Sequence, residues 1–125
     1  MDNKKILLVE DDVFIQELYT RELKKAGFTV EATGDGDDAI KKIDANDYDL
    51  VMLDIMLPGK DGVTILEHLK KHTDPKKAAT TALMLTNMGQ EEIVTKTTAL
   101  GAAGYLIKSE YDPFQVIDEV KKYIK

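Results

Sequence analysis

A chain of 125 residues has the length of one compact domain, able to bury roughly 65% of the surface it exposes when unfolded. It contains no cysteine, which excludes a disulfide scaffold, a thiolate zinc finger and thiol catalysis. Seventeen basic against twenty-three acidic residues leave a net charge of −6, and this argues against nucleic acid as a direct partner, because phosphate binding needs an excess of Lys and Arg.

Apolar residues at 43% and charged residues at 32% describe a folded, water-soluble chain. No apolar run reaches the roughly 18–20 residues of a membrane span. The start, Met1-Asp2-Asn3-Lys4-Lys5, lacks the apolar core of a signal peptide. The expectation is one domain over residues 1–125, cytoplasmic and without membrane contact.

Two kinds of segment alternate along the chain. Ile6-Leu7-Leu8-Val9 is a short continuous apolar run, the mark of a strand buried on both faces. Asp12 stands where a helix cap would, and Ile15, Leu18, Tyr19 and Ala26 recur at helical spacing until Gly27 ends the helix. Residues 28–32 alternate weakly as a second strand. Asp35-Gly36-Asp37 reads as a turn before a short helix with Ala39, Ile40 and Ile43 on its apolar face. Leu50-Val51-Met52-Leu53 is a third strand ending in Asp54, and Pro58-Gly59-Lys60-Asp61-Gly62 is a loop before a helix built on Ile65, Leu66 and Leu69. The fourth strand, Ala82-Leu83-Met84-Leu85, ends in Thr86 and precedes a helix over residues 91–100. The fifth, Tyr105-Leu106-Ile107, ends in Lys108. Asp112, Pro113 and Gln115 then spell a capped start for the last helix. Five strand–helix repeats predict an α/β protein, a five-stranded parallel sheet with five helices on both faces.

In open parallel sheets, ligands bind beyond the carboxyl ends of the strands. The residues at those ends are Glu10-Asp11-Asp12, Asp54, Thr86 and Lys108: carboxylates, one hydroxyl and one ammonium on a single rim. Two carboxylates about 4 Å apart repel by roughly 4 kcal/mol at an effective dielectric near 20, so such a group requires a cation or protons between the acids. Oxygen donors with neither Cys nor His among them point to a hard ion, and Mg²⁺ suits two or three carboxylates plus water. A carboxylate beside Mg²⁺ and a phosphoryl donor is a nucleophile, and Lys108 and Thr86 are placed to contact the transferred oxygens.

The chain resembles the receiver (response regulator) domain of two-component signalling over essentially its whole length, in the manner of a single-domain chemotaxis regulator. The resemblance rests on Ile6-Leu7-Leu8-Val9-Glu10-Asp11-Asp12, on Asp54-Ile55-Met56-Leu57-Pro58-Gly59-Lys60-Asp61-Gly62, on Leu85-Thr86, and on Gly104-Tyr105-Leu106-Ile107-Lys108. It implies the flavodoxin-like strand order 2-1-3-4-5 and Asp54 as phosphoacceptor. It implies Asp11 as a direct Mg²⁺ ligand, Glu10 acting largely through water, and the Met56 backbone carbonyl as a further ligand. Thr86 is similar to the family's switch hydroxyl, Tyr105 to its switch aromatic and Lys108 to its phosphoryl-binding lysine. The implied donor is a histidine kinase or histidine phosphotransfer protein. The implied output partner binds the surface of the fourth helix, fifth strand and fifth helix, with the chain a monomer or a phosphorylation-dependent dimer. Autophosphorylation and dephosphorylation would be its only catalysis.

Two positions depart from the family pattern. Ser109 follows Lys108 where proline with a cis bond is usual, so either the bond is trans and the loop re-routed, or strain is stored there. Asn87 follows Thr86 where a small residue is usual, and with Met88 it bears on how water reaches an acyl phosphate. These departures keep open a phosphorylation-independent interaction module on the same fold. A Mg²⁺-dependent phosphohydrolase would carry an acid two residues after its nucleophile, where this chain has Met56, and a nucleotide or flavin carrier would show a Gly-rich loop after the first strand. Outside the rim, Tyr105 alone reads as a core residue with its hydroxyl at the surface. His68 and His72 have a metal-binding spacing but no evident third ligand, and read as a solvated face.

Overall fold

The computed structural model describes residues 4–58, 60–87 and 91–124; Gly59 and Met88, singled out above, lie outside this set, as do Met1 to Asn3. Strands β1 (Lys5–Val9), β2 (Thr29–Thr33), β3 (Leu50–Asp54), β4 (Thr81–Thr86) and β5 (Gly104–Ile107) form one sheet. Its order is β2-β1-β3-β4-β5, every pair parallel. Six α-helices are described, one more than expected: α1 (Val13–Lys25), α2 (Gly36–Ala45), α3 (Gly62–Lys70), α4 (Pro75–Ala78), α5 (Glu91–Ala99) and α6 (Pro113–Tyr123). The extra one is a single turn, capped by the Asp74 side chain and opened by Pro75, between α3 and β4.

The apolar runs of β1, β3 and β4 are continuous because both sheet faces are covered. Leu7, Val9, Val51, Leu53, Ala82 and Met84 face one side and pack with Ala39 and Ile43 of α2 and Ile65, Leu66 and Leu69 of α3. Ile6, Leu8, Leu50, Met52, Leu83 and Leu85 face the other and pack with Tyr19 and Leu23 of α1 and Val116, Ile117 and Val120 of α6. Fully burying each such side chain is worth about 1.5–3 kcal/mol.

Local chemistry sets the helix ends. The Asp12 carboxylate caps α1 through Ile15 N–H, Asp61 caps α3 through Thr64 N–H, and Asp112 with Gln115 forms a reciprocal capping box on α6. Gly27 follows α1 with φ of 101°, a left-handed conformation that favours glycine. The expected turn at Asp35-Gly36-Asp37 is instead the start of α2: Asp35 accepts from Asp37 N–H, so the Asx turn itself is the cap.

Candidate functional site

The strand order reverses at β1, which has β2 on one side and β3 on the other. The loops after β1 and β3 therefore diverge and leave a cleft. The pairing register then aligns the strand ends. Val9 lies beside Leu53, Asp54 beside Leu85, and Thr86 beside Ile107. Glu10, Asp54, Thr86 and Lys108 thus fall within a residue of one line across the sheet.

Glu10 is fully buried and Asp54 is only 5% exposed, while Asp11 is exposed at the mouth. A carboxylate oxygen from each of the three lies within 4.8 Å of the others. Lys108 Nζ donates to Glu10 Oε1 at 2.6 Å and to Asp54 Oδ2 at 2.9 Å. The second oxygen of Asp54, Oδ1, accepts from Met56 N–H at 3.2 Å. Gln16 Nε2 donates to the Glu10 carbonyl and holds the loop entering α1. Burial, together with the neighbouring Asp54 carboxylate, pushes the Glu10 carboxyl up to about 8, against the pull of Lys108. Burial also acts on Asp54, but its hydrogen bonds with Glu10 and Lys108 outweigh it and hold the carboxyl below its ordinary value. Lys108 is buried as well, and its two carboxylate partners outweigh that and raise it.

Two buried oxygens here lack hydrogen-bond partners among the described residues: Glu10 Oε2 and Thr86 Oγ1. Each is a polar atom removed from water, a cost of about 1–3 kcal/mol unless something binds it. The three clustered acids offer only oxygens, so they fit a hard divalent cation. Asp11, Asp54, Met56, Asn87, Lys108 and Ser109 line one open cleft wide enough for a phosphoryl group.

The Lys108–Ser109 bond is trans and the chain continues through one 3-10 turn, residues 108–110, so of the two alternatives at Ser109 the trans bond is the one observed. Asn87 is exposed at the rim of the cleft. Tyr105 differs from the core reading: it is 46% exposed on the edge strand β5 and lines a groove with Thr86, Asn87, Val94, Thr95 and Ile107, between β5 and α5.

His68 and His72 are not a bare solvated face. His68 Nε2 lies 2.7 Å and His72 Nε2 2.9 Å from Asp44 Oδ1, at the end of α2. The third group comes from a different helix, 24 residues upstream of His68, and no local spacing announces it.

The sequence matches the family model described as the response regulator receiver domain over residues 6–121. The chain belongs to the receiver family of two-component signalling. It is 33% identical over 122 residues to the transcriptional regulatory protein ResD of Bacillus subtilis, covering 97% of this chain and 48% of that protein. It is 34% identical over 123 residues to the alkaline phosphatase synthesis regulatory protein PhoP of the same organism, covering 98% of this chain and 49% of that one. The chain thus spans about half the length of these relatives. Among solved structures, the chemotaxis response regulator CheY4 of Vibrio cholerae superposes with a TM-score of 0.89 at 25% identity, covering 98% of this chain and 100% of that one. A response regulator from Chloroflexus aurantiacus superposes with a TM-score of 0.87 at 30% identity, covering 98% of each chain. The fold is the flavodoxin-like receiver fold, and receiver domains are signalling domains. No described helix is long and apolar enough to cross a membrane.

Proposed function

We propose that this chain, as one receiver domain over residues 1–125, accepts a phosphoryl group on Asp54 from the phosphohistidine of a histidine kinase or a histidine phosphotransfer protein, in the cytoplasm. The observation that carries the reading is the convergence of Glu10, Asp11 and Asp54 with Lys108 bonded between two of them.

In the transfer, a carboxylate oxygen of Asp54 forms the new O–P bond as the donor's N–P bond breaks, and the released imidazole nitrogen takes its proton from solvent. Lys108 exchanges a carboxylate partner for a phosphoryl oxygen and offsets the added charge. Met56 N–H steadies the acyl group through Oδ1. Asp11, Asp54 and the Met56 carbonyl would hold Mg²⁺, with Glu10 acting through water, and the bound ion supplies charge neutralisation between anionic donor and anionic acceptor. The orphaned Glu10 Oε2 fits that water-mediated role.

Thr86 and Tyr105 then act as the switch. The unpartnered Thr86 hydroxyl is free to turn toward the phosphoryl group, and the groove it vacates accepts Tyr105. The surface that responds is α5, β5 and α6, with an output protein or domain as its partner and the chain a monomer or a phosphorylation-dependent dimer. An external phosphohydrolase activity lacks support, since the residue two after Asp54 is Met56.

Incubation with Mg²⁺ and acetyl phosphate tests the reading by intact mass. The expected result is one added phosphoryl group on the wild type and none on Asp54→Asn. A wild type that gains nothing supports instead the interaction module that works without phosphorylation, and an Asp54→Asn protein that gains the group equally overturns the assignment of Asp54.

A further inference from the structure

At the opposite end of the molecule from the rim, where α2 and α3 finish, a second cluster of metal-binding side chains is assembled from two elements. Asp44 lies one residue before the end of α2, His68 is in the last turn of α3, and His72 follows that helix. One ligand atom from each lies within 4.8 Å of the others. Both Nε2 atoms converge on the same oxygen, Asp44 Oδ1, and the two rings stand edge to face with centroids 5.5 Å apart. The rings are partly shielded, with side-chain exposures of 33% and 16%, while Asp44 is about half exposed, so an ion has a way in. An open groove lined by Thr64, Glu67, Lys71 and Thr73 runs along the two rings and leaves room for water on the ion.

The donor set differs in kind from the one at the rim. Two imidazole nitrogens and one carboxylate oxygen suit a borderline transition ion, and three protein ligands with an open fourth position are a common Zn²⁺ arrangement. Mg²⁺ prefers oxygen alone. We propose that Asp44, His68 and His72 form a Zn²⁺-class metal site that ties α2 to α3, independent of the phosphoryl chemistry at Asp54.

The metal-free geometry sets what binding must change. Asp74 N–H donates to His72 Nδ1 at 3.0 Å, so that nitrogen carries a lone pair and the ring proton sits on Nε2, facing Asp44. Binding replaces the Nε2 proton with the ion, places a proton on Nδ1 and releases the Asp74 amide. The tautomer change at His72 is also a signature that nonspecific surface binding would not produce.

The experiment is a calorimetric titration of the full chain with Zn²⁺ in excess Mg²⁺, which keeps the acidic rim occupied, paired with imidazole ¹⁵N correlation spectra. The expected result is one equivalent bound. The His68 and His72 ring nitrogens should shift together, with the His72 proton moving from Nε2 to Nδ1. His68→Gln, His72→Gln and Asp44→Asn should each weaken binding at least about tenfold while keeping the wild-type circular dichroism spectrum and a cooperative melting transition, which shows that they fold. Binding that survives all three substitutions, binding that is lost in Asp11→Asn instead, or no binding up to millimolar Zn²⁺ overturns the proposal. None of these outcomes bears on Asp54, so the two readings stand or fall separately.

Discussion

Lys108 bridges two buried carboxylates, and its place between them is also where a cation or a phosphoryl group would act. Replacing it by methionine keeps most of the bulk but leaves Glu10 and Asp54 facing each other without a countercharge. The loss in stability is bounded by the roughly 3–5 kcal/mol of breaking a buried pair, and a proton on Glu10 reduces it. Added Mg²⁺ should therefore raise the melting temperature of Lys108→Met more than that of the wild type. Equal increments in the two proteins would show that the lysine and the ion do not share the same carboxylates. A gentler electrostatic test lies at the opposite strand end. Glu31 on β2 receives Lys5 Nζ at 2.8 Å and the Tyr48 hydroxyl at 2.9 Å. The Lys5 bond, chiefly, holds its carboxyl below the ordinary value, with partial burial opposing and Tyr48 assisting. As pH falls, the unfolded chain takes up this proton before the native one does. The contribution is therefore full at neutral pH and disappears below the native-state value. Denaturant titrations should find Glu31→Gln less stable than wild type by under about 1 kcal/mol at pH 7, because the pair is a third exposed, with the gap closing below pH ~4. A gap that widens in acid would contradict the assignment.

The loop between β3 and α3 shows how an element's start can be set by the site it serves. Gly62 opens α3, its N–H donates to Ile55 O, and a Cβ built on it would collide with the Asp54 carbonyl oxygen and crowd Ile55. In an open helix Ala in place of Gly would gain up to about 1 kcal/mol. Here the methyl group must push the backbone of Asp54, the proposed phosphoacceptor, so Gly62→Ala should be destabilised by about 1–3 kcal/mol and, on that proposal, take up phosphoryl groups more slowly. An Ala variant more stable than wild type in urea would mean that the contact yields freely. The sequence carries such features unevenly. Strands β1, β3 and β4 announce themselves as apolar runs because both their faces are buried, and the Asp12 and Asp112 caps follow from rules that act within four residues. The rim follows too, because a parallel sheet in register brings consecutive strand ends together without any side-chain detail. The one-turn helix α4 escaped because its signal, Asp74 then Pro75, has no apolar period to accompany it; Lys77 there is buried instead, its Nζ donating to the Ile43 carbonyl of α2. The exposure of Tyr105 and the approach of Asp44 to the two histidines depend on how edges and helix ends dock. That information is nonlocal.

At the scale of the whole molecule, the proposed switch requires that phosphorylation at the cleft reach a face built from α5, β5 and α6. Thr86 is the link with the clearest physical basis. It ends β4, pairs in register with Ile107 of β5, and shares a groove with Tyr105, Val94 and Thr95. Thr86 is 1% exposed, and its hydroxyl has no hydrogen-bond partner among the described residues. An orphaned buried hydroxyl costs free energy in the resting state, and a phosphoryl oxygen at Asp54 would remove that cost by accepting from it. The switched state thus gains relative to the resting one, and Tyr105 has room to follow as Thr86 leaves. Moving such an equilibrium from 1:99 to 99:1 requires about 5.5 kcal/mol of differential stabilisation, more than one charge-assisted hydrogen bond at about 1.5–3 kcal/mol supplies, so Lys108 must contribute as well. Thr86→Ala removes the orphan and should leave the resting protein within about 1 kcal/mol of wild-type stability. It should still accept the phosphoryl group. The Tyr105 ring and the α5 backbone, followed by NMR on adding acetyl phosphate and Mg²⁺, should then move by clearly less than in the wild type, since one of the two contacts that favour the switched state is gone. An undiminished response in Thr86→Ala would show that the signal leaves the cleft by another route.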